Sequence, residues 1–308
     1  MIPDYQSLMR PVLESAEKEA RKISDVVEEI SNNLELTEEE RQQLLPSGKQ
    51  TTITNRIHWS RSYLKQAGLL RNIRRGWFEI TEQGLSVLRD PSIKLNSKYL
   101  EKFEGFQEFK SRGNSTIQAS QDVAVLPVSD ISINTPDEEI LLAHKKLQAA
   151  LASNLLDSVR TSSPLFFELL IVDLLISMGY GGTSENAGRA LGRSGDNGID
   201  GVIDQDPLGV DQIYLQAKRY AETNSVGAGD IRDFYGALSL KKATKGIFVT
   251  TSHFTGSAQQ TANNLGSRIV LIDGPHLAKL MIKYNIGCRD KDVLHIKQID
   301  ENYFDEGT

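Results

Sequence analysis

Cysteine is nearly missing from this chain of 308 residues: Cys288 stands alone. A single thiol cannot close an internal disulfide, so a reducing, cytoplasmic setting is expected. Histidine is scarce as well, and His58, His144, His253, His276 and His295 never fall at ligand spacing. With one cysteine beside them, they argue against a zinc site. No stretch approaches the roughly 20 apolar residues that a membrane helix requires. The opening MIPDYQSLMR carries an early acid and lacks the apolar centre of a signal peptide, so neither membrane nor secretion is expected. Familiar chemical motifs are absent too. There is no GxxxxGK[ST] loop, no GxGxxG after a strand and no GxSxG elbow, which removes the usual nucleotide folds and a serine hydrolase. An EF-hand-like start at DNGIDG (Asp196, Asp200, Gly201) fails because Pro207 stands where a bidentate glutamate should close the loop.

What is present is ordinary in bulk and uneven in detail. Apolar residues make up 39% and charged residues 25%, the balance of a globular protein, and the length suits about two domains. A net charge of -6, taken as an average, disfavours nucleic acid. Residues 46–76 reverse that. They carry Lys49, Arg56, Arg61, Lys65, Arg71, Arg74 and Arg75 with no acid at all, directly after an acid-rich stretch. Affinity for a phosphate backbone follows the surface that touches it, not the average.

Residues 1–90 carry helical periodicity over PDYQSLMRPVLESAEKE and ISDVVEEISNNL, and a capping box at Thr37 and Glu40 opens a third helix. TTITNRIHWSRSYLKQAGLL then offers Ile57, Trp59, Tyr63 and Leu64 to a core before Gly68 stops it. Strand, basic turn and strand follow in LLRNIRRGWFEI. This order is that of a winged-helix domain, with one helix for the major groove and a basic hairpin tip for the backbone. The seven basic residues are its candidate DNA contacts; a merely solvated charged face is the plainer alternative.

Residues 91–134 lack clear periodicity and are expected to connect, leaving 135–308 as a second, α/β domain. Thr135, Pro136 and Glu138 start one helix with a capping box, and Ser163 and Pro164 start another. The second, SPLFFELLIVDLLISMG, is apolar nearly all round and should be buried. Strands and helices then alternate to residue 285, which predicts a central mixed sheet.

Two of those strands carry polar residues where a core should be filled: Asp200 in IDGVI, and Gln216 and Lys218 in IYLQAK. Residues two apart on a strand share a face, so Gln216 and Lys218 project together, and a hairpin would set Asp200 across from them. Glu168, from the apolar helix, can approach the same place. Carboxylates hold Mg²⁺ through oxygen, the metal activates water on a phosphodiester, and an ammonium steadies the charge that develops. This is a workable nuclease site. Each residue also has a bland role: Asp200 in a glycine-rich turn, Lys218 snorkelling from a strand end, Glu168 exposed on its helix. The hydroxyls and amides of TTSHFT, 250–255, can likewise hold a phosphate or simply cap the next helix.

GDNGIDG followed by IYLQAKRY resembles the core of the PD-(D/E)xK nucleases, in the variant with Gln at the second acidic position. PSGKQ, NRIHWSRSYLKQAGL and RGWFEITEQG, with FFELLIVDLLISMGYGG, FYGAL and GIFVTTSHFT, extend the likeness to the Mrr family of type IV, modification-dependent restriction endonucleases. The likeness runs from about residue 3 to residue 280. It implies a winged-helix domain joined to a restriction-endonuclease-like domain. It implies Asp200, Glu168 and Gln216 as ligands of a divalent metal, Mg²⁺, and Lys218 as the catalytic lysine. The implied substrate is double-stranded DNA bearing methylated bases. Neutral Gln216 is a poorer metal ligand than a carboxylate, and it keeps open a non-cutting DNA-binding regulator; a repair or branched-DNA nuclease would use the same core. Cutting two strands of opposite polarity calls for two sites, so a homo-oligomer is expected, with the helix from Glu138 to Val159 either pairing with its copy or packing on its own domain.

Overall fold

Proline has no amide hydrogen to donate, so Pro11 is tolerated only in the opening turn of a helix. In the computed structural model, which describes residues 1–115, 133–181, 198–206 and 209–299, helix α1 accordingly spans only Met9–Ser15. The residues before it form a turn held by Asp4, whose carboxylate accepts from the amides of Gln6 at 2.9 Å and Ser7 at 3.0 Å. The chain then forms β1 (Arg21–Lys22), α2 (Ile23–Asn33), α3 (Glu38–Gln42) and α4 (Thr52–Gln66). A hairpin of β2 (Leu70–Arg74) and β3 (Trp77–Ile80) follows, then α5 (Glu82–Leu88). Thr37 and Glu40 cap α3 reciprocally, as their spacing predicts. β3 also pairs antiparallel with β1, setting Arg21 against Phe78, a contact that no local pattern announces.

The compact unit Met1–Lys145 is built on a core that includes Met9, Leu13, Ile30, Ile57, Leu64 and Phe78, all nearly or fully buried. This core corrects the expected connector. Within residues 91–115 the chain forms α6 (Ser97–Leu100) and α7 (Glu104–Ser115), and Leu95, Leu100 and Phe106 enter the same core. The Phe106 ring meets Tyr63 edge-on at 5.5 Å. Aromatic side chains spaced one helical turn apart supply enough apolar area to dock two short helices that periodicity alone does not reveal. The remainder of the connector, 116–132, lies outside the described residues.

Helix α8 (Pro136–Thr161) begins at the expected cap: the Thr135 hydroxyl accepts from the Glu138 amide at 3.3 Å, and the Glu138 carboxylate accepts from the Thr135 amide at 2.8 Å. The second compact unit, Lys146–Ile296, takes up the rest of α8. It continues with α9 (Pro164–Ser177), β4 (Gly201–Asp204), β5 (Gln212–Lys218), β6 (Ser225–Val226), α10 (Ala228–Leu240), β7 (Lys245–Thr250), β8 (His253–Phe254), α11 (Gly256–Asn264), β9 (Arg268–Ile272) and α12 (Gly274–Lys283). Four strands form one sheet in the order β4-β5-β7-β9; the first pairing is antiparallel and the next two are parallel. Successive strand residues point to opposite faces, and the two faces carry two cores. Ile213, Leu215, Ile247 and Val249 pack with α8, α9 and α12. Tyr214, Phe248 and Ile269 pack with α10 and α11.

Helix α9 departs from expectation. Ser163 caps it, accepting from the Phe166 amide at 3.1 Å, and one side is buried through Phe167, Ile171, Leu174 and Leu175. Leu165, Phe166, Leu169 and Ile176 remain 55%, 51%, 46% and 43% exposed. A helix on an outer layer can offer only part of its circumference to one sheet, however apolar its whole surface.

Phe106→Ala tests whether α7 belongs to the first core. Loss of a fully packed aromatic should cost about 3–5 kcal/mol in denaturant unfolding. A cost below about 1 kcal/mol would return α7 to the connector.

Candidate active site and basic surface

The register of β4 on β5 pairs Gly201 with Leu215 and Asp204 with Gln212, so Asp200, one residue before β4, stands opposite Gln216. The Asp200 amide donates to the Leu215 carbonyl at 2.8 Å, and the Ala217 amide donates to an Asp200 carboxylate oxygen at 2.7 Å. Asp200 is thereby fastened to the strand that carries Gln216 and Lys218. Ala217 packs with the α9 layer, so Gln216 and Lys218 share the opposite face with Tyr214.

Gln216 is only 5% exposed, and its Oε1 has no hydrogen-bond partner among the described residues. A buried amide oxygen left unpaired costs free energy that a strand would not normally carry. Gly198 hugs the same side chain: a Cβ there would come 3.3 Å from Gln216 Nε2, and Gly198 has a φ of +90° that favours glycine. The other residues of the GDN run before it, Asp196 included, lie outside the described residues.

Glu168 reaches the site through Asp200. Burial, first, and the negative charge of Asp200, second, hold the Glu168 carboxyl above the usual glutamate range. A carboxyl held up by burial and by a neighbouring negative charge is relieved by a cation placed beside it. The donor set therefore suits a hard divalent ion: two carboxylates that repel and one orphaned amide oxygen. Among the described residues no three acidic, imidazole or thiol groups converge, so the amide oxygen would have to count as a ligand. The backbone at Lys218 is anchored by β7, with the Thr250 hydroxyl donating to its carbonyl at 2.8 Å. Its ammonium has no hydrogen bond or ion pair among the described residues. The TTSHFT hydroxyls are already used: Thr255 caps α11, accepting from Ala258 at 3.1 Å, and Thr250 and Ser252 bond each other at 3.1 Å.

The seven basic residues of 46–76 separate into two groups. Lys49 is exposed in the loop before α4, and Lys65 near the end of that helix. Arg61 lies 5.3 Å above the Phe78 ring and donates to Asn72 Oδ1 at 2.7 Å, fixed on the outer side of α4 against the hairpin. Arg74 stacks on Trp77 at 4.4 Å, and Arg75 is exposed at the hairpin tip beside Gly76. Arg71 is different, paired across the hairpin with Glu79. Arg56 differs most. Its side chain, 17% exposed, bonds Glu138 at 2.8 Å and donates to the carbonyls of Ile2 and Pro3, both at 2.9 Å. The acid-free window of the sequence is thus neutralised in two places by acids from outside it. Spacing along α4 puts Thr54 and His58 on the same side as Arg61 and Lys65, two residues that a count of charges passes over.

Residues 5–90 match the Mrr N-terminal domain family, and residues 159–281 match a family described as restriction endonuclease. The chain is 32% identical over 309 residues to the type IV methyl-directed restriction enzyme EcoKMrr of Escherichia coli strain K12, covering 99% of each. Among solved structures it is similar to the DNA modification-dependent restriction endonuclease AspBHI, at 19% identity and a TM-score of 0.35 over 45% of this chain and 37% of that one. It is also similar to the MspJI restriction endonuclease in complex with a 27-mer oligonucleotide, at 24% identity and a TM-score of 0.35 over 54% and 36%.

The raised Glu168 carboxyl gives a direct test. A proton held more tightly in the folded than in the unfolded chain lowers stability as pH rises from the unfolded value through the folded one. Asp200→Asn should bring Glu168 back toward the ordinary range in a metal-free carboxyl NMR titration and flatten part of that fall. An unmoved Glu168 titration would separate the two carboxylates.

Proposed function

This chain belongs to the Mrr family of restriction endonucleases, and on that premise we propose that it hydrolyses phosphodiester bonds of double-stranded DNA bearing methylated bases, using Asp200, Glu168, Gln216 and Lys218. The observation that carries this reading is the Asp200–Gln216–x–Lys218 arrangement, with an unpaired amide oxygen buried beside a fastened carboxylate. Asp200, Glu168 and Gln216 Oε1 would hold a divalent cation, Mg²⁺ in this reading, which neutralises charge on the scissile phosphate and lowers the pKa of bound water. Lys218 brings an ammonium to the same face. It orients the attacking water and offsets the negative charge that builds on the phosphate oxygens. Asp200, bonded to the Ala217 amide, keeps its remaining oxygen in a fixed direction.

On this account residues 1–115 hold a winged-helix reader, with α4 as the groove helix and the β2–β3 hairpin as the wing. Lys49, Arg61, Lys65, Arg74 and Arg75 supply the phosphate contacts. The catalytic domain takes in the C-terminal part of α8 and the elements after it. A homo-oligomer supplies one site per strand, and the exposed apolar residues of α9 are a surface that a second copy would cover. No helix among the described residues is long and apolar enough to cross a membrane, and a cytoplasmic site of action fits a chain with one thiol.

The decisive experiment incubates methylated and unmethylated plasmid with the protein, with Mg²⁺ and with EDTA. Only methylated plasmid with metal should be cut. Asp200→Ala and Lys218→Ala should each lower cleavage on the order of 10²-fold or more while DNA affinity stays close to parental. Cutting at near the parental rate by either variant would remove that residue from the site.

Charge reversal at Arg74 and Arg75 addresses the reader. Binding should weaken, and the slope of log affinity against log salt should flatten by about 2, one counterion for each lost phosphate contact. An unchanged slope would take the hairpin off the DNA.

A further inference from the structure

The TTSHFT run opens with three buried polar residues: Thr250, Thr251 and Ser252, at and just past the end of β7, are 0%, 0% and 3% exposed. A hydroxyl taken from water costs free energy unless it finds a partner. The two threonines find theirs on one short stretch of backbone, that of Lys218 and Tyr220. The Thr250 hydroxyl donates to the Lys218 carbonyl at 2.8 Å, and the Thr251 amide donates to the same oxygen at 3.3 Å. The Thr251 hydroxyl accepts from the Tyr220 amide at 2.9 Å and donates to the Tyr220 carbonyl at 2.7 Å. A hydroxyl can accept and donate at once; a valine methyl of the same shape can do neither.

Strand pairing shows why such bonds are needed there. The parallel ladder of β5 and β7 ends at Lys218 and Thr250, and that of β6 and β8 begins at Ser225 and His253. In the gap, Thr251 and Ser252 on one side answer residues 219–224 on the other, so the chain must leave the ladder directly after the lysine. Residues 221–225 are indeed exposed. At Tyr220 the Thr251 hydroxyl takes over, giving the backbone the donor and the acceptor that a neighbouring strand would otherwise supply. Thr251 is itself enclosed. Its carbonyl accepts from Arg160 Nη2 at 3.0 Å, and a Cβ on Gly274 would come 2.6 Å from that oxygen.

We infer that Thr250 and Thr251 are positioning residues for Lys218. The inference rests on the functional reading above and deepens it, assigning to that reaction two side chains that touch neither metal nor DNA. Among the described residues the Lys218 ammonium has no hydrogen bond or ion pair, and what holds Lys218 is its backbone. The two threonines extend that hold past the last ladder residue, where a strand end would otherwise fray. Placement matters at this scale, because a shift of about 1 Å in a reacting group can cost on the order of 10²-fold in rate.

The test uses the full chain and methylated duplex with Thr251→Val, Thr251→Ser and Thr250→Val. Single-turnover cleavage at saturating protein and Mg²⁺ should fall at least about tenfold in Thr251→Val, while Thr251→Ser, which keeps the hydroxyl, should stay within about threefold of the parent. The dissociation constant for the duplex and the half-saturating Mg²⁺ concentration should both stay within about twofold in all variants, since neither hydroxyl contacts those ligands. Without metal or DNA, the Tyr220 amide should lose hydrogen-exchange protection in Thr251→Val and keep it in Thr251→Ser. Circular dichroism checks folding; if Thr251→Val is unfolded, Thr250→Val decides by the same split between rate and affinity. Parental cleavage by a folded valine variant, equal losses in rate and in affinity, or no recovery with serine would overturn the assignment. A parent that does not cut methylated DNA would instead overturn the functional reading beneath it.

Discussion

One hydrogen bond, from the Ala217 amide to the Asp200 carboxylate at 2.7 Å, ties Asp200 to the strand that carries Gln216 and Lys218, in the register that the β4–β5 ladder sets. Antiparallel strands alternate faces with a period of two, so a slip of one residue between β4 and β5 would turn Gln216 and Lys218 into the α9 layer and push Leu215 out of it. The same bond uses up one oxygen of Asp200 and aims the other, and the negative charge of Asp200 adds to the burial that lifts Glu168. Fastening, alignment and electrostatic coupling of the site follow from a contact between neighbouring strands.

Charge in the N-terminal unit follows a different pattern. Arg71 and Arg56 lose their reach to Glu79 and Glu138, residues that strand pairing and helix docking bring from elsewhere in the chain. The first of these pairs is exposed on its arginine side and contributes little to stability. The second is largely buried, where an unpartnered charge would be costly, and it serves best as a fixed point. The other cations of the block lie against an aromatic ring, at the hairpin tip or along the outer side of α4. Aromatic stacking of Arg61 and Arg74 costs them no charge and limits their motion.

The two long helices of the second half illustrate how burial and composition part company. Helix α9 is apolar nearly all round yet keeps four large side chains in solvent. Helix α8 is exposed over residues 142–147 yet buried at Glu138, Leu155, Leu156 and Val159. Neither state follows from a helix's own residues; both follow from how many surfaces surround it.

Much of this protein was legible in its sequence because the relevant physics is local. The caps at Thr37, Thr135 and Ser163 are set by residues three apart, and the alternation of strands and helices after residue 198 by period and turn. The Asp200, Gln216 and Lys218 triplet was visible because polar residues in apolar strands are conspicuous, and its meaning came through family resemblance. What only tertiary structure decided is everything that depends on distant pairing. The β1–β3 contact, the docking of α6 and α7 through Leu100 and Phe106, the capture of Arg56 by Glu138 and the half-exposure of α9 all join residues far apart in the chain or depend on which surfaces meet. Composition and spacing carry no record of such meetings, because a charge or an apolar side chain has the same identity whether its partner is water, a strand or a second helix.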